Sequence, residues 1–195
     1  MIYLVFILSL SIDTFVAALA YEGSKIKIPF YSNLIISFIC AFSIIISLLL
    51  GNISVNIINY NTVKLLSFFI LFSLGIAKIL NKPIKNYIKK QKLKHISKEL
   101  SFIIEIYSDY IKADINKSKN LSKLEAIYLG FALSLDNLVS GLAFQTDYYL
   151  LPLLFLMSIL TNIIMILLSR IVRNLNFNLS YLGGLIFIIL AFTKL

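Results

Sequence analysis

The chain has 195 residues, of which 59% are apolar and 14% charged, with a mean hydropathy of +0.92 and a formal net charge of +9. Soluble domains run at about 45–50% apolar and about 25% charged, so a water-soluble fold with this composition would expose more apolar surface than soluble monomers carry. One cysteine, Cys40, and one histidine, His95, exclude an intrachain disulfide framework and a Cys/His zinc or copper cluster.

Apolar runs bounded by Asn, Pro, Lys and Gly predict six membrane spans, at 2–20, 31–50, 63–80, 126–144, 150–169 and 179–194. The first has no basic leader and carries Asp13 in its middle, so it reads as a retained span and not as a secretory signal. Lys25 and Lys27 follow it, whereas the stretch after the second span, 52–62, is uncharged and rich in asparagine. The long connection, 81–125, holds eleven lysines from Lys82 to Lys123. Within it Leu93, Ile96, Leu100, Ile103, Ile104, Tyr107 and Ile111 recur at spacings of three and four, which predicts an amphipathic helix lying on the membrane or on the bundle. Its end, Ser122-Lys-Leu-Glu125, is a capping box that opens the fourth span. Asp114, Asn116, Ser118 and Glu125 also match an EF-hand-like calcium loop that lacks the turn glycine, where Lys119 stands. The last two connections carry Asp147 alone, then Arg170 and Arg173.

Alternate connections are therefore basic. The positive-inside rule places the first, third and fifth in the cytoplasm and both termini outside. The excess charge then faces lipid headgroups of the bilayer, and nucleic acid is not an expected partner. The chain divides into a first three-helix unit at 1–80, the lysine-rich connection at 81–125 and a second three-helix unit at 126–195.

The two units resemble one another. Leu10 through Tyr21 aligns without a gap on Leu133 through Phe144, with six of twelve positions identical, including Ser11 on Ser134 and Asp13 on Asp136. Leu66 through Lys78 is a weaker echo of Leu182 through Lys194. Three spans per unit is an odd number, so the second unit crosses in the opposite sense. The expected fold is all-α and integral to the membrane: six helices as two inverted-topology three-helix repeats.

Asp13 and Asp136 both fall near the middle of their spans. A charge there costs about 2.5–3.5 kcal/mol on insertion scales, so such residues face a cavity or partner and mark ion or proton paths. Ala17 and Ala20 share a helical face with Asp13, as Ser140 and Ala143 do with Asp136. With Gly141, these small residues suit close helix packing. Two carboxylates brought together in a membrane interior are balanced by a cation or a proton. Asp13, Asp136, Ser11, Ser134, Thr14, Asn137 and Asn162 supply oxygen donors, which suit Mg²⁺, Ca²⁺ or Mn²⁺. No nucleotide loop, Ser/His/Asp set or metallohydrolase cluster is present. Neither enzymatic activity nor a bound cofactor is expected.

Three segments carry a family resemblance: Ser11-Ile-Asp13-Thr-Phe-Val-Ala-Ala-Leu-Ala-Tyr21 continuing to Lys27-Ile-Pro29, Glu125-Ala126 through Leu129-Gly130-Phe-Ala-Leu-Ser134-Leu-Asp136, and Leu182-Gly183-Gly184. They resemble the manganese efflux pump (MntP) family, and within it the YtaF-type branch of sporulation membrane proteins. The resemblance implies six helices in two inverted repeats, Mn²⁺ as the exported substrate, and Asp13 and Asp136 as intramembrane site residues. It departs in the second span, where 38–44 carries no acidic residue while manganese exporters of the better-understood branch have one. Export of a hard divalent cation, Mn²⁺ first, is the functional expectation. The alternatives are a non-transporting sporulation membrane protein and an exporter of another small solute such as an amino acid.

Overall fold

The computed structural model of the chain describes residues 2–57, 60–79, 98–144, 146–172, 185, 188–189 and 191–192. Among these residues the chain is helical: α1 (Ile2–Gly23), α2 (Phe30–Ile57), α3 (Tyr60–Ile79), α4 (Lys98–Ser108), α5 (Lys123–Leu142) and α6 (Leu151–Val172), with 3₁₀ turns at Tyr110–Ala113 and Tyr148–Leu150. Among the described residues three segments, Ile2–Gly23, Phe30–Ile53 and Tyr148–Val172, are long and apolar enough to cross a membrane. The expected sixth span, 179–194, lies mostly outside the described residues, as do Leu93, His95 and Ile96.

Local chemistry accounts for the helix ends. α1 closes in a Schellman arrangement, with Ile26 N–H donating to the Tyr21 carbonyl at 2.9 Å and Lys25 N–H to that of Glu22 at 3.1 Å. Lys25 takes the left-handed position, φ 57°, that glycine usually fills. Pro29 precedes α2 with its φ already suited to a helix start. The expected capping box is present at α5: Ser122 Oγ accepts from Glu125 N–H, and Glu125 Oε2 accepts from Ser122 N–H at 2.8 Å. The largest boundary difference from expectation is at the end of α2. α2 runs on to Ile57, through residues expected to be a connection, because 53–57 contains no proline or glycine to stop it.

The bundle turns large apolar side chains outward and buries polar ones between its apolar clusters. Phe38, Phe42, Leu50, Leu153, Leu156, Leu160 and Ile164 are exposed, while Ser37, Ser43, Ser47, Ser158 and Asn162 are buried. That inversion suits a lipid surround. α5 packs along α2, α1 along α6, and α2 against α6. On α5, a Cβ built at Gly141 would lie 2.6 Å from Ser47, and on α2 a Cβ at Gly51 would lie 2.9 Å from the Leu142 carbonyl oxygen. The two backbones are this close only because both positions are glycine.

Two apolar clusters sit toward opposite ends. One gathers Ala17, Tyr21, Ile36, Ile106, Tyr110, Leu121 and Leu129, and the other Phe6, Leu10, Ile44, Leu71, Phe144 and Leu154, with the Phe6 and Phe144 rings stacked at 4.0 Å. α4 belongs to the first cluster and packs on α5. Its inward face is Phe102, Ile103, Ile106 and Tyr107, continued by Tyr110, while Leu100 and Ile111 of the expected stripe are exposed. The stripe is turned because the chain folds into 3₁₀ geometry after Ser108, which carries Tyr110 inward and Ile111 outward.

Candidate functional site

Between the two apolar clusters the interior is polar on four helices. Ser11, Asp13 and Thr14 come from α1, Ser43 from α2, Ser134, Asn137 and Ser140 from α5, and Ser158 and Asn162 from α6, all buried. Asp13 lies about 16 Å along α1 from Ile2 and Asp136 about 20 Å along α5 from Lys123, at roughly 1.5 Å per residue. Asp13 is 7% exposed and Asp136 is half-buried.

Hydrogen bonds tie this belt together across helices. Thr14 Oγ1 donates to Asn162 Oδ1 at 2.7 Å and Ser11 Oγ to Thr161 Oγ1 at 3.0 Å, joining α1 to α6. Asn137 Nδ2 donates to the Cys40 carbonyl at 3.4 Å and Ser43 Oγ to the Ser134 carbonyl at 3.2 Å, joining α5 to α2. Ser47 Oγ donates to the Leu138 carbonyl. Ser134 and Ser140 donate to their own helix, at the carbonyls of Phe131 (2.8 Å) and Asp136 (2.7 Å). Of the small residues expected at helix contacts, Gly141 approaches α2 and not α1. Ala17 and Ala143 are buried in the first and second apolar clusters respectively, and Ala20 is half-buried.

The site has a member that sequence reasoning placed only in an amphipathic stripe. Tyr107, at the end of α4, donates its hydroxyl to Asp136 Oδ1 at 3.0 Å. Burial raises the Tyr107 phenol well above its ordinary range, and the charges of Asp136 and then Asp13 raise it further. Tyr110 is raised by burial and then by Asp13 and Asp136. Both carboxylates therefore act on both phenols, and the phenols stay protonated. The adjoining backbone is anchored: Tyr21 Oη donates to the Tyr110 carbonyl at 2.7 Å.

The 114–125 segment forms a tight loop. Asp114 accepts from the N–H groups of Ser118 (3.1 Å) and Lys119 (3.2 Å), and Asn116 Oδ1 accepts from Ser118 N–H at 2.9 Å. Glu125 Oε1 accepts from Ile115 N–H at 2.9 Å and Asn116 N–H at 3.2 Å. Lys119, where an EF-hand has glycine, sits at φ 59°. Burial pushes the Glu125 carboxyl up, but its bonds from Ser122, Asn116 and Ile115 outweigh this and hold it below its ordinary value. These oxygens are thus engaged by the loop's own amides. Among the described residues no three His, Cys, Asp or Glu side chains gather as metal ligands.

A protein of Bacillus subtilis (strain 168) named "Probable sporulation protein YtaF" is 31% identical over 142 residues, covering 69% of this chain and 67% of its own length. No protein-family signature matches the chain, and no solved structure does.

Proposed function

The chain belongs to the YtaF family, and on that premise we propose that it is a bacterial inner-membrane transporter that exports a hard divalent cation, Mn²⁺ first, through Asp13 and Asp136. One observation carries the reading: two mid-helix carboxylates, Asp13 on α1 and Asp136 on α5, stand in a belt of buried oxygen groups contributed by four helices. Two carboxylates set at mid-helix depth call for a balancing cation or proton. The oxygens of Asp13, Asp136, Thr14, Asn137 and Asn162 are hard donors, which favours Mn²⁺, Mg²⁺ or Ca²⁺ over softer metals. Mn²⁺ is cargo in this reading, and no bond chemistry is involved.

We further propose that the fold is a six-span inverted repeat. A two-fold axis exchanging the halves would pair α1 with α6 as it pairs α5 with α2, and both pairs pack in this way. The alignment that lays Asp13 on Asp136 also lays Pro29 on Pro152 at the starts of α2 and α6. By the positive-inside rule, the end bearing Lys25, Lys27, Lys123 and Arg170 faces the cytoplasm and both termini lie outside. Sporulation, named for the relative, is the setting in which we place the activity.

The test is expression in a manganese-sensitive strain that lacks its own exporter, beside Asp13→Asn and Asp136→Asn at equal protein levels. Rescue by the native chain alone supports export through this pair. Equal rescue by the variants removes the site from the mechanism, and failure of all three favours a non-transporting role in sporulation.

A further inference from the structure

Tyr107 reaches Asp136 from outside the spans. The segment that carries it, α4 with the 3₁₀ turn Tyr110–Ala113, packs against both α1 and α5 at the lysine-bearing end. Ile106 and Ala113 are fully buried there and Tyr110 nearly so. Two contacts hold the segment in place: Phe102 meets Tyr128 of α5 edge-on, with ring centroids 5.3 Å apart, and Tyr21 of α1 bonds the Tyr110 carbonyl. At the tip of this wedge the Tyr107 hydroxyl directs its proton at Asp136 Oδ1.

A cation and a phenol proton compete for the same carboxylate lone pairs. A cation that takes Oδ1 of Asp136 therefore displaces the Tyr107 hydroxyl, whose proton is directed at that oxygen.

Resting on the reading that Asp13 and Asp136 hold the cation, we propose that Tyr107 is a positioning residue that competes with the cation for Asp136, and that α4 is the wedge that must withdraw from α5 for loading at the lysine-bearing end. Hydrogen bonds to charged groups are strong enough for removal of the hydroxyl to change cation affinity by about tenfold.

The test uses the full chain in lipid nanodiscs, with Mn²⁺ binding followed by the loss of its free-ion electron paramagnetic resonance signal. Tyr107→Phe keeps the ring and removes the competitor, so it should bind Mn²⁺ about tenfold more tightly; a purely structural role would leave binding unchanged or weaken it. Asp13→Asn and Asp136→Asn are the controls for the underlying reading. If they bind as tightly as the native chain, the carboxylate site itself is wrong. If they bind more weakly but Tyr107→Phe does not gain, the competition is overturned. A second measurement does not depend on that variant. Phe102→Cys and Tyr128→Cys are combined in one chain, bridged with a short bis-methanethiosulfonate and released with dithiothreitol; native Cys40 is fully buried and is left in place. Bridged protein should lose Mn²⁺ flux from the lysine-bearing side and regain it on release. Undiminished flux while bridged refutes the wedge.

Discussion

Replacing Gly141 with alanine tests the close approach of α2 and α5. The added methyl would lie 2.6 Å from both Cβ and Oγ of Ser47 and 3.4 Å from the Ile44 carbonyl oxygen. Comfortable carbon contacts are about 3.5–4.0 Å, so either the helices separate by about 1 Å or Ser47 rotates away. Overpacking of this kind costs about 1–3 kcal/mol, and rotation of Ser47 also forfeits its bond to the Leu138 carbonyl, a further loss of about 0.5–1.5 kcal/mol. The expected destabilisation is about 2–4 kcal/mol, read as unfolding free energy in mixed detergent micelles. Ser47→Gly in the same chain removes the obstacle, so the double variant should recover much of the loss, with a coupling of about 1–3 kcal/mol. Unchanged stability in Gly141→Ala, or additive losses in the double variant, would refute the packing.

Glu125→Ala leaves the N–H groups of Ile115, Asn116 and Ser122 without their acceptor, and should destabilise the protein by about 1–3 kcal/mol in the same unfolding assay. Its carboxyl is held below the ordinary value of 4.5, so its contribution is complete above that pH and lost as pH falls through the lower folded value; the native chain should show this acid-side loss and Glu125→Gln should lack it. Lys25→Gly relieves a left-handed residue at φ 57° and should raise the unfolding free energy by about 0.5–1 kcal/mol, whereas Lys25→Val should lower it.

Much of the helix layout was legible because its signals are local. Gly23-Ser24-Lys25, Pro29 and the Ser122/Glu125 box act within a few residues of where they stand: α1 ends at the first, and α2 and α5 begin just after the other two. The extension of α2 was missed because an asparagine-rich, uncharged stretch reads as a turn, although it contains no residue that stops a helix. For the site, the belt members Thr14, Asn137 and Asn162 could be named from their depth in apolar runs, but their partners could not. Thr14 meets Asn162 far along the chain, and Asn137 meets a backbone carbonyl that leaves no mark in composition. Tyr107 is the clearest case. Its place among Ile103, Ile104 and Ile111 marks it as one apolar position of an amphipathic helix, and only the packing of α4 on α5 brings its hydroxyl to Asp136.

The hydrogen bonds of the belt bear on which solutes it could accept. Ser9, Ser134 and Ser140 each donate to a carbonyl of their own helix, and Thr14 donates to Asn162, whose own amide donates to the Ser158 carbonyl at 2.9 Å. Asn137 spends an amide proton on the Cys40 carbonyl. A hydroxyl whose proton is committed to the backbone presents only its lone pairs to anything beside it. With Asp13 and Asp136 added, the belt is rich in acceptors whose neighbouring donors are already engaged. Such a surface favours a cation that needs oxygen lone pairs over a solute led by a carboxylate, which would need free donors or a positive group. The same arrangement explains how so many polar groups stay buried at low cost, since a satisfied donor escapes the penalty of leaving water. The exceptions among the described residues are Asn33 Nδ2 and Thr146 Oγ1, which lack a partner. Asn33 is in the first turn of α2 and Thr146 follows α5, so both lie toward the ends of helices. The middle of the bundle, where a partnerless donor would be most costly, is also where the acceptors gather around the two carboxylates.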